Sequence, residues 1–249
     1  MSYDYGFTSN VEEGLYNNKG VFDDMSIRKG FIRKVYSLLS IQLIFTTILT
    51  SLFVLNDSVK NFGQSDTGQG LLILSIVTML ATLIAPLCCC MDAYKKYPQN
   101  YAILSIFTLS TSYLVAVGAS SYSPDTVLYA FIITCVSTIA LTIYAMQTKY
   151  DFTTSGGMLL SLLIGLMVMG ILNIFIQNQF LKTFIAAAGA IIFSMYIVYD
   201  TQLIVGGKHR KHQFDVDDYV FATITLYLDI INLFLYLLEL LDGKRNDNS

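Results

Sequence analysis

Apolar residues along this chain gather into seven stretches of about twenty, separated by short polar connections. A helix of about 20 apolar residues crosses the hydrocarbon core of a bilayer, and lipid leaves the backbone no other way to satisfy its polar groups. The stretches are Val35–Leu55, Leu71–Cys90, Tyr101–Ser120, Val127–Met146, Met158–Ile176, Phe184–Val205 and Tyr219–Leu241. They predict an all-α membrane protein, a seven-helix transmembrane bundle occupying residues 31–241. Residues 1–30 form a polar N-terminal segment without regular structure in this reading, and 242–249 a short polar tail. No sizeable soluble domain remains.

Several details refine the bundle. The run Ala186-Ala187-Ala188-Gly189-Ala190 and the pair Gly165 and Gly170 predict close backbone approach, because membrane helices associate through small residues. Gly206-Gly207 is placed to end the sixth apolar helix with a positive-φ cap. The third helix carries Ser105, Thr108, Ser110, Thr111 and Ser112, so at least one of its faces points at protein or water.

Composition agrees with the pattern. Hydrophobic residues make up 54% of the 249 residues and charged ones 13%, about half the share usual in globular chains. The net charge of −3 carries no nucleic-acid footprint. The first 26 residues lack a basic start followed by an apolar core, so a cleavable signal peptide is not expected and the first transmembrane helix directs insertion.

Eleven Lys and Arg side chains fall on the side of the N-terminus and four on the other, which predicts a cytosolic N-terminus. If the seventh stretch is re-entrant, the count becomes thirteen to two, so charge does not choose the side of the C-terminus. Cys88, Cys89 and Cys90 at one helix end suit either palmitoylation or plain apolar packing. His209 and His212 have metal-like spacing but sit in a basic run that reads better as a solvated surface loop.

The residues that stand out are Asp200 and Asp229, because ionisable groups in the hydrocarbon cost about 2.5–3.5 kcal/mol to insert and mark function by default. Asp229 lies about 15 Å along its helix, and Asp200 is five residues from its helix end. The two helices run antiparallel from one shared loop, so both carboxyls lie towards the same membrane face. The last helix also bears a polar stripe of Thr225, Asp229, Asn232, Tyr236 and Glu239 at helical spacing. That stripe predicts a central last helix shielded from lipid. Two carboxyls in one low-dielectric site cannot both ionise cheaply, so they titrate as a coupled pair. A shared proton holds them together; its loss separates them and exposes oxygen ligands suited to a hard cation such as Ca²⁺. The bland alternative is that Asp229 and Asn232 simply lock helices together.

Four motifs then converge on one family. Phe31-Ile-Arg-Lys-Val-Tyr36 with Ile41-Gln42-Leu43, Gln147-Thr-Lys-Tyr-Asp-Phe-Thr153, Tyr196-Ile-Val-Tyr-Asp-Thr-Gln202, and Leu226-Tyr-Leu-Asp-Ile-Ile-Asn-Leu-Phe234 resemble the Lifeguard branch of the Bax-inhibitor (TMBIM) family. The resemblance implies a seven-helix fold with a central last helix, a pH-sensitive Ca²⁺ leak across an endoplasmic-reticulum, Golgi or plasma membrane, and suppression of cell death. It makes Asp200 and Asp229 the proton-sensing pair of the ion pathway and transient Ca²⁺ ligands, with Tyr199 and the rest of the polar stripe in support. It implies no cofactor and no enzymatic activity. Protons, Ca²⁺, lipid and cell-death regulatory membrane proteins are the expected partners. Charged residues that help gate some members from the second helix have no counterpart in Leu71–Cys90, so that latch is absent or has moved outward to Asp92, Lys95 or Lys96. Two other classes compete: a non-conducting regulator of membrane proteins, and an intramembrane aspartyl protease. Tyr227-Leu-Asp-Ile-Ile lacks the Gly-x-Gly-Asp context that such a protease requires.

Overall fold

The computed structural model describes residues 6–88, 91–207 and 210–246, with side chains described over 25–85, 92–207 and 210–242. Cys89, Cys90 and His209 lie outside the described residues, as does the side chain of Cys88. The helices are α1 (Gly6–Leu55), α2 (Asp57–Gln64), α3 (Asp66–Cys88), α4 (Met91–Lys95), α5 (Gln99–Ala119), α6 (Pro124–Gln147), α7 (Gly156–Ile176), α8 (Gln179–Val205) and α9 (Tyr219–Asn246), with a 3₁₀ turn at Phe152–Ser155 before α7. Seven of the described helical segments are long and apolar enough to cross a membrane, the number expected. However, α1 is already helical from Gly6, which corrects the expectation of no regular structure before residue 31.

Local chemistry fixes where the helices begin and end. Asn56 caps α2 by accepting from the amides of Ser58 and Val59 at 3.0 and 3.3 Å. Ser123 precedes Pro124 at the first turn of α6 and accepts from Thr126 N. Asn178 accepts from Phe180 N at 2.8 Å and Leu181 N at 3.2 Å, which starts α8 one and a half turns earlier than its apolar run suggests. The polar residues Gln179 and Lys182 hide that start in the sequence. Gly206 and Gly207, at φ 59° and 111°, stop α8 as expected.

The bundle is arranged around α9, which packs against α1, α4, α5, α6 and α8. Of its membrane window 61% is buried, against 56% for α5, 11% for α7 and 6% for α3. The outer helices are therefore α3, packed on α5, and α7, packed on α8. The small-residue run in α8 does what its composition predicts: a Cβ on Gly189 would lie 2.7 Å from the Tyr236 ring of α9. Gly165 and Gly170 do not. Both belong to peripheral α7, and a Cβ on either would meet nothing within 4 Å. The expected close approach at those two glycines is thus corrected: their helix meets lipid there rather than a neighbour.

At the end of the bundle that carries Arg28, loops distant in sequence are clamped together. Arg28 of α1 donates to the carbonyls of Leu203 and Phe214 at 2.6 Å each and of Val205 at 3.2 Å, so a cation covers the C-terminus of α8. Arg210 does the same for α6 through the carbonyls of Ala145, Thr148 and Tyr150. Gln202 is fully buried; its Oε1 accepts from Phe152 N at 2.7 Å and its Nε2 donates to Tyr150 O at 3.0 Å. Asp151 accepts from Thr153 N at 3.0 Å and Lys211 N at 2.9 Å. The motifs at 147–153 and 196–202 therefore meet in space.

Candidate functional site

Asp200 projects from α8 five residues before its end, and Asp229 from α9 ten residues after its start. Antiparallel packing of these helices, the most extensive in the bundle, brings the two carboxyls close enough to interact, with Thr225 also near Asp200. They are 5% and 6% exposed, so both are shielded from lipid. Asp229 Oδ2 is buried with no hydrogen-bond partner among the described residues. Carboxyl oxygens only accept hydrogen bonds when ionised, so a direct bond between the two would need a proton on one of them.

The rest of the expected polar face divides. Thr225 sits beside the pair and also donates to Ala222 O at 3.2 Å. Asn232 turns back on its own helix, donating to Leu228 O at 2.8 Å. Tyr236 stacks on Phe193 with ring centroids 5.7 Å apart, and Glu239 pairs with Lys182 at 3.7 Å near the opposite end of the bundle. Tyr199, next to Asp200 in sequence, faces α7 instead, with its hydroxyl against Gly156. Only Asp200, Asp229 and Thr225 form one chemical unit. Among the described residues no group of three or more His, Cys, Asp or Glu side chains gathers at a metal-binding spacing.

The charged residues outside the second helix do make contacts at the clamped end. Lys95 bonds Asp218, at the entrance of α9, at 3.0 Å, and the Asp218 carboxylate raises the Lys95 ammonium above its ordinary range. Lys96 lies 3.9 Å from Asp92.

A second polar seam escaped the sequence reading. Tyr219, Thr223 and Tyr227 recur at i, i+4 and i+8 on the face of α9 turned to α1 and α5, and all three are buried. Thr46 of α1 lies 2.7 Å from the Ser112 hydroxyl of α5 and 2.8 Å from that of Tyr227. One turn away, Gln42 donates to Thr108 at 2.7 Å. At the clamped end, Asn100 bonds the Tyr219 hydroxyl and the Lys34 ammonium stands 3.3 Å from the Tyr219 ring centroid. The signal was available in the hydroxyl-rich α5 and in the spacing of the α9 tyrosines.

The architecture and site define a multi-pass membrane protein built around a central helix with a buried carboxyl pair. Residues 28–247 match the family described as Inhibitor of apoptosis-promoting Bax1. The chain is 34% identical over 251 residues to Protein lifeguard 3 of Mus musculus, spanning 98% of this chain and 80% of that one. It is 34% identical to Protein lifeguard 3 of Homo sapiens over 99% of this chain and 79% of that one. With the Golgi anti-apoptotic protein of Vaccinia virus (strain Lister) the identity is 37%, over 94% of both chains. The chain belongs to the Bax-inhibitor family, as its four motifs implied.

Proposed function

We propose that this protein is an anti-apoptotic membrane protein that lets Ca²⁺ leak passively across an internal or plasma membrane under the control of a proton shared by Asp200 and Asp229. The observation that carries the reading is the pair of carboxyls on the packed faces of α8 and α9, both buried and closed off from lipid inside the bundle. Two acids embedded in lipid-spanning helices are costly to keep unless they act. With the proton in place, α8 and α9 are tied together. Once it leaves, two like charges in a low-dielectric interior repel, the helices part, and the freed oxygens offer a hard cation a transient ligand set. Asp229 Oδ2, buried and unpartnered, already offers one such oxygen.

The N-terminus is cytosolic in this reading: Arg28, Lys95 and Arg210 meet at one end of the bundle, in accord with the charge count. An internal membrane of the Golgi fits the name of the viral relative. The test is Ca²⁺ flux from liposomes that contain only the purified protein, measured against pH. Flux above protein-free liposomes that changes with pH supports the leak. No flux at any pH rejects it in favour of a non-conducting regulator, the class to which the relatives' names are equally suited.

A further inference from the structure

A lateral groove of about 840 Å³ opens between α1 and α6. Both helices pack on α9 and scarcely touch each other, so the gap between them is floored by the central helix. Ile44 and Ile48 of α1 and Leu128 and Ile139 of α6 form its walls, and Ile231 and Phe234 of α9 its floor. The outer rims are exposed, facing the bilayer side of the bundle.

The groove is not uniformly apolar: hydroxyls from α1 and α6 stand along it, and they divide into two kinds. Thr46, Thr47, Ser51 and Thr134 each donate to the carbonyl four residues earlier in their own helix, at 2.7–2.8 Å. That bond is the ordinary way a helix hides a hydroxyl in lipid. Thr50 and Thr138, on opposite walls, do not make it: each Oγ1 is buried with no partner among the described residues. Thr50 is only 6% exposed. A buried hydroxyl left unpaired costs about 1–3 kcal/mol. One step of χ1 exchanges a threonine's Oγ1 with its methyl, and here that step sacrifices no existing bond.

We propose that this groove is a binding site for a neutral, hydroxyl-bearing membrane lipid of the sterol type, whose polar group bonds Thr50 and whose rigid apolar body lies against α1, α6 and the floor of α9. Charge narrows the class. Among the described residues Asp125 is the one charged residue on the lining, and no Lys or Arg is there to receive a phosphate or carboxylate headgroup. Size and stiffness narrow it further: the volume suits a single ligand of drug-like dimensions, and a fused-ring body loses less conformational freedom on binding than two flexible acyl chains do. Thr50 lies about 7.5 Å from the end of α1, just inside the hydrocarbon edge, where the hydroxyl of a membrane-inserted sterol belongs. The site stands on its own geometry and does not depend on the leak.

The experiment uses the full chain in phosphatidylcholine liposomes with a diazirine-bearing sterol as the photoprobe, cross-linked and mapped by peptide mass spectrometry. Labelling is expected to saturate, to fall on the α1 and α6 peptides that contain Thr50 and Thr138, and to be competed by unlabelled cholesterol but not by diacylglycerol. Ile139→Trp, a rim substitution that fills the groove from the lipid side, should abolish the saturable component. The Thr50→Val variant keeps shape, breaks no existing bond and should weaken binding about fivefold. Leu160→Trp, on the lipid-facing side of α7, should leave labelling unchanged. Labelling that rises linearly and spreads over all helices, equal competition by diacylglycerol, or full saturable labelling in Ile139→Trp would each overturn the site.

Discussion

The central helix divides the interior into two seams of opposite character. On one face of α9, Asp229 meets Asp200 of α8; about 200° around the same helix, Tyr227 meets Thr46 of α1 and Ser112 of α5. Both seams are buried, but the chemistry differs in what a lost or gained proton does. The hydroxyl seam consists of neutral groups that both donate and accept, so its members close on one another at 2.7–2.8 Å and hold the same geometry at any physiological pH. The carboxyl seam sets two acids close together, and two ionised carboxylates can only accept, so any direct bond between them needs a proton. A bundle that needed adhesion alone is well served by the first kind. The second kind lies at the most extensive helix contact in the protein, and under the proposed function it makes that contact conditional on protonation.

The largest expected effect follows directly. Asp200→Asn or Asp229→Asn keeps a hydrogen-bonding group of the same shape but removes the titration, so liposomal Ca²⁺ flux should lose most of its pH dependence. The double variant should add little, since members of one coupled unit are not additive. An unchanged pH profile in that double variant would reduce the pair to another structural contact, and the contrast between the seams would collapse.

How much of this was legible beforehand depended on whether the signal was local. The spanning segments were, because about twenty consecutive apolar residues have few other meanings. Asp200 and Asp229 were legible for the same reason in reverse, a charge being conspicuous in such a run. Tyr219, Thr223 and Tyr227 were not: hydroxyl residues are unremarkable in membrane helices, and their significance lies in partners on α1 and α5 more than a hundred positions away. The Arg28 clamp is more remote still, joining residues 175 to 186 positions apart. Gly165 and Gly170 show the opposite error. Small residues permit close approach without requiring it, and only the neighbours decide. The short helix α2 went unseen because its eight residues hold only Val59 and Phe62 as large apolar side chains and owe their start to the cap of Asn56.

Second in size is the Arg28 clamp at the end of α8. Arg28→Gln strips a cation from two carbonyls at the end of α8 and from that of Phe214 in the following loop, and bonds to charged groups are worth about 1.5–3 kcal/mol each before neighbouring waters compensate. A net loss of about 2 kcal/mol in detergent-solubilised thermal unfolding is expected. Wild-type thermal stability in Arg28→Gln would show that solvent replaces the guanidinium at no cost.

The hydroxyl seam gives a smaller and differently shaped response. Tyr227→Phe removes one hydroxyl from the Thr46 and Ser112 contact and should cost about 1 kcal/mol. The pH profile of flux should keep its wild-type form, because nothing that titrates in that range has changed. A shifted profile would mean that the two seams communicate through α9.

The smallest effect sharpens the comparison with a third carboxylate. Asp151 lies outside the spans, capping the 3₁₀ turn that leads into α7. Partial burial pushes its carboxyl up, but hydrogen bonds from the Thr153 hydroxyl and the amides of Lys211 and Thr153, with the Arg210 charge, outweigh that and hold it below the usual carboxylate range. A folded-state value below the unfolded one means stability that is present above the unfolded value, about 3.9, and is lost as pH falls through the folded value. Asp151→Ala should therefore lower stability at pH 7 by about 1 kcal/mol, the usual worth of a cap, or about 2–4 °C in Tm for a chain of this size. The gap should narrow at pH 3, where the wild-type carboxyl begins to protonate. Flux should retain its wild-type dependence on pH, because this acid titrates against the clamp and not against a second carboxyl. Thermal unfolding at the two pH values, read beside the flux profile, separates the roles. A gap that widens in acid would contradict the sign of the linkage, and a flattened flux profile would move Asp151 into the gate with Asp200 and Asp229.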